Sequence, residues 1–153
     1  MKSLIQGGCW KILVESWIFG VLLSGSLFMC SHAFAEYSGK GGMAAYDISS
    51  EVYEYHYKHG FTGEDAMGWD PNLQYAWSRV GAAMTCNVDM DKALVLKGLS
   101  NEFGNDPFIH DMNGVGFHHM QSKNIEGFCS PERVDEIKDL IPNMEAGEFP
   151  EKF

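Results

Sequence analysis

The sequence predicts an all-α fold, a compact bundle of four to five short antiparallel helices with one disulfide. Three observations carry that reading. Asp70-Pro71, Asp106-Pro107 and Ser130-Pro131 each offer a capping side chain followed by proline, which loses least at the first helical position because its missing N–H would have had no partner. Apolar residues recur three and four positions apart behind such starts. After residue 35 no alternating run rich in β-branched residues, bounded by turn residues, suggests a strand.

The first expected helix runs from a cap at Asp47 or Ser49 through Val52, Tyr55 and His59 to Gly60, a residue suited to the position just past a helix end. Behind Pro71, the residues Leu73, Ala76, Trp77, Val80, Gly81 and Met84 form one apolar face anchored by Trp77. The stretch "DMDKALVLKGLSNEFG" places Ala93, Leu96, Leu99 and Phe103 at helical spacing, with Asp89 as the expected cap, Gly104 as the stop and Gly98 as an internal weakness. Asp106 opens a fourth helix, drawn through residue 123. Behind Pro131, Val134, Ile137, Leu140 and Ile141 repeat the pattern, and Pro142 is expected to end it.

The N-terminus reads as an export signal. Lys2 and Lys11 precede an apolar run from Trp17 to Met29, and Ala33 and Ala35 supply an A-x-A cleavage site. The run is shorter than the roughly 20 residues needed to span a bilayer, so no stable transmembrane anchor is expected after cleavage at Ala35. The expected organisation is a cleaved signal over 1–35, a flexible glycine-rich segment over 36–46, a single helical domain over 47–142 and a flexible acidic tail over 143–153. Of the four cysteines, Cys9 and Cys30 leave with the signal. Cys86 and Cys129 then remain together in an oxidising compartment, periplasmic or extracellular, and are expected to pair.

The first 35 residues hold two of the 11 basic and one of the 21 acidic residues, which leaves 9 against 20 for the remainder. Such a surface repels phosphate backbones and has no basic stripe to offset this, so nucleic acid is not an expected partner.

The chemistry-bearing stretch is "HDMNGVGFHHM", His110 to Met120. On a regular helix, with about 100° per residue, Phe108, Met112, Val115 and His119 share one side, His110 lies opposite His119, and Asp111 and His118 fall together elsewhere. That geometry makes His119 a hydrogen-bonded core histidine and leaves no histidine pair at the i, i+3 or i, i+4 spacing that a helical metal site uses. If Gly114 and Gly116 break the helix instead, a loop would gather His110, His118 and Met120, with Asp111, around an ion, and sulfur with imidazole suits copper. His110-Asp111 also invites a general base beside a carboxylate, but adjacent residues on a helix project apart. His56 and His59 have i, i+3 spacing, yet sit in a last helical turn where cationic side chains complement the helix dipole.

No nucleophile elbow, haem-attachment motif or glycine-rich nucleotide loop is present, and no cofactor is expected. These absences favour a non-catalytic exported protein that binds another exported protein, as an inhibitor, an immunity-type partner or an accessory subunit. The expected contact surface is the loop from Thr62 to Asp70, carrying Trp69, together with Tyr53 and Tyr57 on the adjoining helix, since aromatic residues are frequent in interfaces. Two other readings are a periplasmic copper or zinc binder using histidine and methionine, and a small secreted hydrolase centred on His110 and Asp111.

Overall fold

Helix α2, Pro71–Thr85, is the centre of the molecule: every residue from Leu73 to Ala83 is buried. A helix covered on nearly all sides needs apolar or satisfied polar residues all round, and α2 has both. The computed structural model describes residues 48–153; the expected signal over 1–35, the expected flexible stretch over 36–46 and Asp47 lie outside the described residues.

Around α2 stand α1, Ser50–His59; α3, Lys92–Phe103; a rod made of α4, Pro107–Ile109, a π-helical stretch, His110–Val115, and α5, Gly116–Lys123; and α6, Pro131–Glu145. A short 3-10 turn, Gly63–Ala66, joins α1 to α2. The described residues are helical with no strand, as the periodicity implied. Helix α2 packs chiefly against α5, α6 and the π-helical stretch, while α3 packs on α6 and α1 on α5. Trp77, Tyr53, Phe117, Leu73, Leu99, Ile137 and Met144 are the large side chains of the core.

The caps follow the sequence in most places. Ser49 accepts from the Val52 N–H, Asp70 from those of Asn72 and Leu73, Asp106 from that of Phe108, and Ser130 from that of Arg133. Two boundaries differ from expectation. The cap of α3 is Asp91, which accepts from Ala93 and Leu94, and not Asp89. Helix α6 does not stop at Pro142 but runs through it to Glu145. Proline removes one rung of the ladder there, and the burial of Ile141 and Met144 on either side outweighs that loss.

The chain beyond residue 142, expected as a loose tail, folds back along the bundle. Asn72 Oδ1 accepts from the backbone N–H groups of Lys152 and Phe153 at 2.7 and 2.9 Å, and Asn72 Nδ2 donates to the Phe153 carbonyl at 3.0 Å. Phe149 rests against Gly98 and Phe103. Cys86 and Cys129 are bonded, with their Cα atoms 5.5 Å apart, so the end of α2 is tied to the start of α6 as expected. No helix among the described residues is long and apolar enough to cross a membrane.

Candidate functional site

The expected ligand segment is neither a regular helix nor a loop. Between His110 and Val115 the rod is π-helical, and the Gly116 N–H reaches back five residues to the Asp111 carbonyl. One residue is thereby inserted into the helical count. From His110 to His118 the chain then takes seven regular steps' worth of rotation, about 700°, instead of eight, and His118 arrives within about 20° of His110. Both histidines turn inward and both are fully buried. His119, expected in the core, is instead only half-buried at the rod's edge.

Glycine makes the approach of the rod to α2 possible. A Cβ built on Gly114 would lie 2.0 Å from the Trp77 ring, and one on Gly81 would lie 2.7 Å from the His118 Cβ. The backbones therefore come close enough for side chains of α2 to grip both histidines.

Each buried histidine has both ring nitrogens committed. The Trp77 indole N–H donates to His110 Nδ1 at 3.1 Å, and His110 Nε2 donates to the Gly104 carbonyl at 2.6 Å. Because an indole only donates and a carbonyl only accepts, the tautomer of His110 is fixed. The second chain is longer. Tyr53 donates its hydroxyl to His118 Nδ1 at 3.0 Å, His118 Nε2 donates to Gln74 Oε1 at 2.9 Å, and Gln74 Nε2 donates to the Ala66 carbonyl at 2.9 Å. Burial, with the Arg79 charge adding to it, pushes the His118 imidazole down to about 3, and burial holds the Tyr53 phenol well above its ordinary value. His119 Nδ1 shares Thr85 Oγ1 with Ser122 Oγ, and burial and the Lys123 charge lower its pKa.

These partners decide what the segment can do. A metal needs a free nitrogen lone pair and a general base needs access to substrate; His110 and His118 have neither, because each ring is closed by two hydrogen bonds inside the core. Asp111 turns outward to Lys92, at 2.7 Å, and does not orient His110. Met120 is half-buried on the rod and joins no ligand cluster: among the described residues no group of three or more His, Cys, Asp or Glu side chains gathers for a metal.

The expected contact surface is also rearranged. Tyr53 and Tyr57 are core residues, at 0 and 2 % exposure, and Trp69 is half-buried, edge-on to Trp77 with ring centroids 5.0 Å apart. The two tyrosines belong to the interior because α1 packs through them, Tyr53 against His118 of α5 and Tyr57 against Arg79 of α2. The large apolar residues of α1 that do face outward are Val52 and Tyr55. Ile48, Val52 and His56 meet Phe61, Glu64, Asp65 and Met67 along an open groove of about 190 Å³ whose wall is largely apolar and whose acidic groups belong to the 3-10 turn. The expected loop and the expected helix do come together, through different side chains.

A second cleft had no signal in the reading of motifs. Its wall includes Tyr57, Lys58, Arg79, Ser130, Glu132, Arg133, Glu136 and Lys152, from α1, α2, α6 and the chain's last residues. Arg79, 3 % exposed, lies 4.0 Å from the ring centroids of both Tyr57 and Tyr75 and donates Nε and Nη2 to Glu136 Oε1. Arg133 stacks on Phe128 and forms a two-pronged pair with Glu54. A buried arginine inside an apolar run of α2 was the available clue, since such a residue is seldom buried without a partner. No protein-family model, no curated protein and no solved structure matches this chain.

Proposed function

We propose that this protein is exported, released from its signal at Ala35 into the periplasm or the extracellular medium, and acts by binding a partner protein and not by catalysis. The Cys86–Cys129 bond is compatible with an oxidising compartment. The observation that carries the binding reading is the groove between α1 and the 3-10 turn. Val52, on its wall, is 46 % exposed, and Ile48, Phe61 and Met67 extend the apolar lining around it. Glu64 and Asp65 give the groove an acidic flank. The partner suited to it presents an apolar side chain next to a basic one, which the excess of 20 acidic over 9 basic residues after position 35 would help to steer in.

The test places a photo-crosslinking residue at position 52, with position 94 as the control because Leu94 is comparably exposed on α3. A discrete adduct at 52 that is missing at 94 identifies the partner. With that partner purified, Val52→Glu should weaken binding at least about tenfold, about 1.4 kcal/mol, while the exposed position leaves folding within about 0.5 kcal/mol of wild type. Equal adducts at both positions, or unchanged affinity of the Val52→Glu variant, would remove the groove as the binding face.

A further inference from the structure

Three backbone groups of the chain's last residues converge on one side chain. Asn72 Oδ1 accepts from the Lys152 and Phe153 N–H groups, and Asn72 Nδ2 donates to the Phe153 carbonyl. A primary amide paired with both the N–H and the C=O of one residue grips backbone in the way a strand edge does. The Asn72 N–H itself is taken by the Asp70 cap, so α2 starts without help from the Asn72 side chain.

The tail has a fixed root and a lightly held tip. At the root, Phe149 is half-buried against Gly98 and Phe103. Beyond it Glu151, Lys152 and Phe153 are exposed, Phe153 at 47 %, and belong to no helix or strand. A segment with so little buried apolar surface opens without unfolding the rest of the molecule, so the Asn72 bonds decide whether the tip is docked.

The docked tip touches the corner on which the apolar groove is built. The Phe153 ring lies against Gly60, where a Cβ would sit 2.4 Å from its Cζ, and edge-on to Tyr75. Gly60 in turn is joined twice to His56: its N–H donates to the His56 carbonyl at 2.7 Å, and its carbonyl accepts from His56 Nδ1 at 3.1 Å. The other nitrogen of that imidazole lies 3.8 Å from an Asp65 oxygen, and the ring stacks on Phe61 with centroids 5.2 Å apart. His56, Phe61 and Asp65 are all wall residues of the groove.

We propose that residues 150–153 are a releasable latch. Asn72 holds it shut, and while it is shut Phe153 fixes the Gly60 corner and, through it, the His56 ring in the groove wall. The purpose of the latch rests on the reading of that groove as the binding face. A wall held in one arrangement binds at a lower ordering cost, so the latched chain is the form that takes the partner, and a bound partner in turn holds the latch shut.

Hydrogen exchange followed by NMR on the folded chain, with no partner present, tests the latch. The signals to follow are the Lys152 and Phe153 amides and the His56 Nδ1–H, with the amides of buried Val80 and Leu99 as the reference for global opening. Asn72→Asp puts an oxygen where Nδ2 met the Phe153 carbonyl, so the clamp repels the tip, while a carboxylate in the first turn suits the N-terminal end of α2. In this variant the two tail amides should exchange at least about tenfold faster and the His56 Nδ1–H at least about threefold faster, with Val80 and Leu99 at the wild-type rate. Phe153→Ala, at an exposed position, keeps the clamp and removes the brace, and should speed the His56 Nδ1–H by a similar factor. An unmoved His56 signal in either variant would mean an ordered tail with no hold on the groove, and would overturn the latch. So would tail amides that keep their rate in Asn72→Asp, or that change only in step with Val80 and Leu99. None of these signals depends on a partner, so a failed crosslink at position 52 removes the groove as a binding face without touching this result, and a failed latch leaves the crosslink to be judged by itself.

Discussion

Lowering the pH towards 5 should destabilise this protein chiefly through one residue, His118. Its imidazole is fully buried, neutral, and held at about 3 in the folded state, whereas in the unfolded chain it returns to the ordinary value of about 6.5. The folded state therefore binds fewer protons than the unfolded state between those two values, and stability is complete above about pH 6.5 and falls as the pH drops towards 3. Each unit of depression corresponds to about 1.4 kcal/mol, so the loss reaches about 2 kcal/mol at pH 5 and about 5 kcal/mol once both states are protonated. Half-buried His119, also depressed, adds in the same direction. Urea denaturation at pH 7.5, 6, 5 and 4 measures this directly. Carboxylates titrate in the lower part of the range too, so the comparison that isolates His118 is with His118→Gln. That variant starts less stable, because it loses the Tyr53 and Gln74 bonds, but between pH 7.5 and 5 it should lose about 2 kcal/mol less than wild type. Parallel curves for the two proteins, or a His118 ring signal that titrates near pH 6 in the folded chain, would refute the argument.

Gly114→Ala should destabilise the fold by about 1–3 kcal/mol, the overpacking range, where alanine in an ordinary helix would gain about 1; the added carbon would overlap Trp77, whose ring is fixed between Trp69 and His110. Thermal melts of this variant decide the sign, and a rise in Tm would show that the rod does not approach α2 as described. Replacing Cys86 and Cys129 together with serine should cost about 4 kcal/mol by the chain-entropy model for a loop of this length, given their separation of 43 residues. Denaturation of the double variant measures it, and a loss below about 1 kcal/mol would contradict the loop-closure account.

How much of this molecule was legible in its sequence depends on whether the deciding interaction is local. Helix starts at Asp70, Asp106 and Ser130 were legible because a cap and the N–H donors it accepts from lie within three residues of one another. The start of α3 was not, because Asp89 and Asp91 both satisfy the local rule and only the fold chooses Asp91. Pro142 misled for the complementary reason. Its cost is local, while the gain from burying Met144 is contributed by other helices. The paired cysteines were legible from the export expected for the chain and from the two cysteines that would remain after it. Tyr53 and Tyr57 were misplaced because tyrosine suits an interface and a core equally well until the position of its hydroxyl is known.

The histidine segment shows the limit most sharply, because its error was one of phase. A regular helix would leave His118 about 80° around from His110, turned away from Tyr53 and Gln74. The π-helical insertion rotates it inward, at the expense of one turn of regular ladder, and four side-chain hydrogen bonds on the two imidazoles hold it there. Three of those bonds go to residues more than 30 positions away, so nothing in "HDMNGVGFHHM" alone marks the inserted residue. Its two glycines do carry a trace, since Gly114 is the place where the rod must clear Trp77 and Gly116 closes the five-residue turn onto Asp111. A His-rich, glycine-interrupted stretch that looks like a ligand cluster is thus consumed in packing.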